Sequence, residues 1–166
     1  MIVADASALL SLAAGDSLGV VLAEFDVHAT TVVTSEIEAT TDYDDEHADA
    51  ARTVLEACDR LSVHCLDEPG VTSSRVDAGE ASCASLVSDI GAEFLITDDL
   101  RALPELQSLV DAQVAISPIV LRALVERGVL EANDARERVE TIAERRDWLG
   151  APIFRRAEAL FEEIEA

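Results

Sequence analysis

Glu93-Phe94-Leu95-Ile96-Thr97-Asp98-Asp99 is a short apolar run closed by two acids, and Ile2-Val3-Ala4-Asp5-Ala6-Ser7 has the same form at the start of the chain. A short apolar run ending on charge suits a strand buried on both faces, the kind found in parallel sheets. Val27 to Val33, Ser62 to Leu66 and Ala112 to Ile116 are the other strand candidates. Helical patterns lie between them. One runs from Ala8, one from a cap at Asp16 to about Glu24, and a short one carrying Glu36 opens at Thr34-Ser35. After an acidic loop, Thr41 to Glu46, an amphipathic helix is expected from His47 to Leu61, with Ala51, Val54, Leu55 and Cys58 on one face. Pro69-Gly70 and Thr72-Ser73-Ser74 read as a loop. Ala78 to Ile90 is a helix stopped by Gly91, and Leu100 to Leu109 is another. Strands alternating with helices of about 10–15 residues predict an α/β fold with a parallel sheet wrapped by helices. Beyond Pro118 only helical patterns remain, at Ile119 to Arg127, Ala132 to Leu149 and Pro152 to Ile164. The expected organisation is one domain, an α/β core over 1–118 with a helical C-terminal extension over 119–166.

The 166 residues include 34 acids and 12 basic residues, all of them arginine, for a net charge of −22. With 49% hydrophobic residues the chain holds enough core to fold without disulfides or a structural metal. By mass scaling its surface is roughly 8,000 Å², about one net negative charge per 360 Å². Such a surface repels itself at low salt, and the repulsion fades as molar salt shortens the screening length to about 3 Å. An acidic, lysine-free, core-rich chain is expected in the saline cytoplasm of a halophile. No basic patch is dense enough for electrostatic capture of nucleic acid. The start of the chain lacks the cationic region of a signal peptide, and no apolar run reaches the roughly 20 residues of a membrane span. Cys58, Cys65 and Cys83 are odd in number and lack CxxC spacing, which fits reduced, buried small residues rather than disulfides or zinc. The charge is uneven, −19 over residues 1–118 and −3 over 119–166, so the tail is expected to offer the surface for a partner.

In open parallel sheets, ligands sit at the carboxyl ends of the strands. That rule marks Asp5 and the pair Asp98-Asp99, with Glu36, Asp77 and Glu80 at nearby helix starts. Each has a plainer role available. Glu36 could complement a helix dipole, Asp77 could cap the Ala78 helix, and Ser7 could cap the helix after Asp5 or orient Asp5 or a water. Clustered carboxylates raise one another's pKa or recruit a cation. With lysine absent, the natural compensator is a divalent ion, and hard oxygen ligands suit Mg²⁺ or Mn²⁺. Such a metal lowers the pKa of a bound water and stabilises a leaving oxygen, which points to hydrolysis of phosphodiesters.

Ile2-Val3-Ala4-Asp5-Ala6-Ser7, Ser35-Glu36, Asp77-Ala78-Gly79-Glu80-Ala81-Ser82 and Leu95-Ile96-Thr97-Asp98-Asp99, in this order and spacing, resemble the four acidic motifs of the PIN-domain family. They resemble the branch of that family in which the third acid is carried by a Gly-Glu-Ala/Ser helix start. The tail resembles that branch too, at Val120-Leu121-Arg122-Ala123-Leu124, Arg127-Gly128, Trp148-Leu149 and Ile153-Phe154. The resemblance implies a three-layer α/β/α nuclease in which acids hold Mg²⁺ or Mn²⁺ and water cleaves RNA. Matched by position, Asp5 is the central metal ligand, Asp98 its partner and Glu80 the third acid. Glu36 matches the second, with Glu38 close by, and Asp99 is a further ligand. The resemblance also implies a VapC-like toxin held by a small antitoxin protein, often as a homodimer.

The chain departs from toxin-type relatives in having only Arg52, Arg60, Arg75 and Arg101 as basic residues over 1–101. RNA would depend on metal, on salt and on tail arginines such as Arg145, Arg146, Arg155 and Arg156. A solvated Arg–Glu face is the expected state of that tail. His28, His47 and His64 lie outside the acidic motifs and are expected as surface or packed residues. A haloacid-dehalogenase-like phosphatase would need an acid where Ser7 stands, a receiver domain would need a lysine, and no Gly-rich phosphate loop is present. The competing readings are a catalytically silent PIN-like module that binds a protein or RNA partner, and a housekeeping RNA-processing nuclease.

Overall fold

The structure, a computed structural model, describes residues 1–68 and 72–165; the expected Pro69-Gly70 turn lies outside the described residues. Five parallel strands form one sheet in the order β3-β2-β1-β4-β5: β1 Ile2–Ala4, β2 Val27–Thr30, β3 Ser62–His64, β4 Phe94–Ile96 and β5 Gln113–Ala115. The two apolar runs closed by acids are therefore neighbours. β1 pairs with β4 in the register Val3–Leu95 and Ala4–Ile96, so Asp5 and Asp98 leave the same edge side by side. The sheet order reverses at β1, which is where ligands bind in open α/β sheets.

Helices flank the sheet: α1 Ala6–Ala14, α2 Leu18–Glu24, α3 Thr31–Thr40, α4 Glu46–Glu56, α5 Ala78–Ile90 and α6 Leu103–Leu109. The expected α/β three-layer architecture with a central parallel sheet is the one observed. α5 lies across β2, β1 and β4, and the Cys83 thiol is buried against the carbonyl of Ala4. Gly91 ends α5 in a left-handed conformation (φ 64°). The cysteines are free, but only Cys83 is buried; Cys58 is half-buried and Cys65 exposed.

Three boundaries differ from expectation. β2 stops at Thr30 because the Thr30 hydroxyl accepts from Val33 N (3.2 Å) and opens α3 three residues early. The β-branched run Thr31-Val32-Val33-Thr34 is thus helical: a cap and burial of Val33 outweigh strand propensity. Asp16 does not cap α2; it turns left-handed (φ 52°), and Ser17 precedes the helix. In the tail, α7 Pro118–Glu126 and α9 Pro152–Glu165 match the expected helices, whereas α8 covers Ala132–Arg145 and stops short of Leu149. Arg146 ends it, Asp147 is left-handed (φ 55°), and Trp148 is buried in the core.

The tail is packed into the same apolar cluster as the sheet, through Leu121, Leu124, Ile142 and Phe161. α8 crosses α1 so closely that a Cβ on Gly15 would meet Ile142 Cγ1 at 2.5 Å. Arg145, Arg155 and Arg156 of the tail are exposed, as expected of a solvated Arg–Glu face, and some tail arginines also reach back to the core. Arg145 donates to Ala14 O (2.7 Å), Arg138 to Asp16 O, and Arg127 of the α7 end to Glu24 O (3.0 Å). Guanidinium groups there satisfy carbonyls at helix C-termini and oppose the helix dipole. No single helix among the described residues is long and apolar enough to cross a membrane.

Candidate active site

The sequence-marked acids converge on a cleft of about 230 Å³ lined by Asp5, Ser7, Glu36, Glu80, Asp99 and Arg146. A larger cavity of about 330 Å³, bounded by Ile2, Phe25, Phe94, Ile119 and Glu126, is mostly apolar and contains none of the marked residues. Chemistry, not size, selects the first.

Asp5 is the cap of α1. Its Oδ1 accepts from Ala8 N (2.9 Å) and the Ser7 hydroxyl (2.7 Å), and its Oδ2 accepts from the Thr97 hydroxyl (2.6 Å). Ser7 therefore does not cap; it orients Asp5 and accepts from Asp98 N (2.9 Å), tying the β1 end to the β4 end. Asp5 is only 4% exposed. Burial pushes its carboxyl up to about 7, against the lowering effect of its three donors, and the charge of Asp98 adds to the rise.

The N-terminus of α5 gathers three carboxylates. Asp77 caps it, accepting from Glu80 N (2.9 Å), while Glu80 Oε2 accepts from Asp77 N (3.0 Å), a reciprocal capping box. Glu36 reaches across from the second turn of α3 and lays its carboxylate against Gly79 of α5. The early start of α3 means Glu36 is not a dipole partner of its own helix. It complements the N-terminus of α5 instead. Gly79 leaves room for that carboxylate, since a Cβ would fall 2.6 Å from Glu36 Oε1 and make the Glu36 side chain swing aside. Glu38 is exposed and lies outside the cleft. Burial lifts Glu80 to about 7, and the charges of Asp77, Asp5 and Asp99 contribute to the rise. Burial, then Asp77, also raises Glu36.

The two acids after β4 diverge. Asp98 turns to the start of α7, where Oδ1 accepts from Ser117 N (2.7 Å) and Oδ2 from the Ser117 hydroxyl (2.8 Å). Burial raises its pKa, offset by those donors and by Arg146. Asp99 faces the cleft; its Oδ1 accepts from Arg101 N (2.8 Å), and its Oδ2 has no hydrogen-bond partner among the described residues. The structure thus brings Asp5, Glu36, Glu80 and Asp99 to one cleft, with the Asp98 carboxylate held by Ser117 beside it, near enough for its charge to act on Asp5 and Arg146.

With this geometry in place, residues 1–163 match the family model DUF3368, described as a PIN domain. The chain belongs to the PIN-domain family. PIN domains are in general nucleases. A PilT N-terminus domain protein from the hyperthermophilic archaeon Sulfolobus solfataricus P2 is similar in structure, with a TM-score of 0.53 and 17% identity over 75% of this chain and 93% of that one. At that identity the likeness is one of fold. No curated protein matches.

Of the tail arginines that the sequence offered for RNA while expecting a solvated face, Arg146 is the one that lines the cleft of this PIN domain. Arg146 stands among the acids because α8 ends at Arg145. Burial lowers its pKa, while Asp98 and Asp5 favour its charge. The sequence signal was weak, an Arg next to Asp147-Trp148 without the glycine that usually marks a helix end.

Among the described residues no three His, Cys, Asp or Glu side chains are gathered closely enough to hold a metal ion. The donor chemistry nevertheless fits a hard divalent cation. Asp5, Glu80 and Asp99 offer only oxygen, and burial, with neighbouring acids adding to it, lifts Asp5 and Glu80 to about 7, a rise that a bound cation would reverse. Like charges that raise one another's pKa stand apart rather than together.

Proposed function

We propose that this PIN domain is a Mg²⁺- or Mn²⁺-dependent endoribonuclease of the VapC-like toxin branch, from a halophile, restrained in the cytoplasm by a small antitoxin and able to form a homodimer. The observation that carries the nuclease reading is the convergence of Asp5, Glu36, Glu80 and Asp99 from four separate connections on one cleft at the carboxyl ends of β1 and β4. Asp5, Glu80 and Asp99 are the residues that would hold the cation. When bound, it supplies Lewis-acid charge and a water of lowered pKa. The remaining work falls to the chain. Ser7 and Thr97 fix the Asp5 carboxylate by donating to opposite oxygens. Asp98 anchors the β4 end on Ser117 and so sets the direction of Asp99. Glu36 and Asp77 keep the first turn of α5, and with it Glu80, in place. Glu80, poised at about 7 with Oε1 free of partners among the described residues, is suited to take up or release a proton near neutral pH.

The second reading, a silent module that binds a protein or RNA partner, is favoured by the separation of the carboxylates. Cleavage of a mixed single-stranded RNA pool in molar KCl decides between them. Cleavage that needs Mn²⁺ or Mg²⁺, stops with EDTA and is lost in Asp5→Asn and Glu80→Gln supports the nuclease. Cleavage that ignores EDTA or survives Asp5→Asn overturns it. A short antitoxin-like reading frame immediately upstream of the gene supports the toxin role, and its absence turns the reading to housekeeping RNA processing.

A further inference from the structure

Arg146 is the cation of the acid cleft, and it is uncommitted in a way that the other tail arginines are not. Arg127, Arg138 and Arg145 each donate to a backbone carbonyl at a helix end. Among the described residues Arg146 makes one side-chain hydrogen bond, between Nη1 and His47 Nδ1 (3.0 Å), on the first turn of α4. No described carboxylate lies within the 4.0 Å of an ion pair. Its Nε is shut from solvent and has no partner among the described residues, so a ligand in the cleft would be met by the Nη groups.

A guanidinium has five N–H donors, and a half-buried one using a single donor costs stability instead of adding it. Asp98 and Asp5 favour its charge at a distance but do not hydrogen-bond it, because Asp98 accepts from Ser117 and Asp5 from three other donors. What answers a guanidinium in fixed orientation is an oxyanion able to accept two N–H groups at once. The fold holds the group firmly: Arg146 N donates to Ile142 O (2.8 Å), Trp148 N to Ala143 O (2.8 Å), and the Trp148 ring is buried just beyond.

We propose that Arg146, positioned by His47, is the phosphate-binding residue of the cleft, taking a non-bridging oxygen of an RNA strand laid against Asp5, Glu80 and Asp99. The inference rests on the nucleic-acid reading above and deepens it. A chain of net charge −22 does not draw RNA in from a distance, and molar salt screens such steering in any case. A short-range, directional contact to one phosphate survives both.

The test is binding of a 2′-O-methyl RNA oligonucleotide, which resists cleavage, read by fluorescence anisotropy in molar KCl with Mn²⁺. Arg146→Met is expected to weaken binding about 10- to 100-fold, and Arg146→Lys to recover part of it. His47→Ala is expected to weaken it about threefold in the wild-type background and not at all beside Arg146→Met, a coupling that a purely structural histidine would not produce. Arg146→Met should melt at or above the wild type, since an apolar side chain replaces a buried, underused charge. Should that variant fail to fold, the Lys variant and the His47 effect decide instead. Equal affinity of the folded Arg146→Met variant and the wild type, or no binding by the wild type, overturns the proposal. Unmodified RNA in parallel reactions separates the two readings. Arg146-dependent binding without cleavage sinks the nuclease and keeps this inference, whereas cleavage with Arg146-independent binding does the reverse.

Discussion

Replacing Asp5 with asparagine should remove activity and raise the stability of the metal-free protein, and the gain should depend on pH in a defined way. Asp5 has its carboxyl pushed from 3.8 to about 7 by burial, so the folded state holds the proton more tightly than the unfolded state. Protons therefore stabilise the fold through this group, and that support is lost as pH rises from about 4 to about 7. At about 1.4 kcal/mol per pKa unit, the raised pKa of Asp5 costs about 4 kcal/mol at pH 8, and about 2 kcal/mol at pH 5, where folding must take up a proton. The side chain is 4% exposed, so little of this is screened by solvent. An amide at position 5 keeps its carbonyl oxygen on Ala8 N and the Ser7 hydroxyl but donates toward Thr97, a mismatch of about 1 kcal/mol. The net gain is about 3 kcal/mol at pH 8 and about 1 kcal/mol at pH 5. For a chain of this length that difference is about 4–8 °C in melting temperature. Thermal melts by circular dichroism at the two pH values, in molar KCl with EDTA, read it directly. An Asp5→Asn variant that melts below the wild type at pH 8, or gains equally at both pH values, refutes the reasoning.

Gly79→Ala displaces the Glu36 carboxylate from the N-terminus of α5 and should destabilise by about 1 kcal/mol in urea unfolding. In a Glu36→Ala background the collision is gone, and the same change should become neutral or stabilise by up to about 1 kcal/mol through helix propensity. An equal loss in both backgrounds counts against the Glu36–Gly79 contact. The folded surface of 8,165 Å² carries about one net negative charge per 370 Å², so the melting temperature should rise by several degrees between 0.1 and 2 M KCl. A flat salt dependence would argue against self-repulsion as the dominant surface term.

Much of the site was legible in the sequence because its parts follow local rules. Asp77 and Glu80, three apart at the head of an apolar run, are a capping box wherever they fold. Asp5 and Asp98-Asp99 end buried strands, and parallel strands place such ends on one edge. Less legible were features that depend on what packs against them. Thr31 to Val33 carry strand propensity, yet the Thr30 cap and the seat beneath α5 make them helix, which moves Glu36 into its second turn. Asp98 and Asp99 are indistinguishable by type, and only Ser117, from the start of α7, decides which carboxylate faces the cleft.

The net charge, the absence of lysine, the alternation of strands and helices and the order of the acidic motifs belong to the sequence alone, since each is a property of residue type and spacing. The partner of each charge belongs to the tertiary structure. Arg145 and Arg146 are neighbours in sequence, and one serves the carbonyl of Ala14 while the other stands in the acid cleft. That division follows from where α8 stops, and α8 stops where the left-handed turn at Asp147 lets Trp148 reach the core. Long-range packing sets that point, and no local pattern in the chain encodes it.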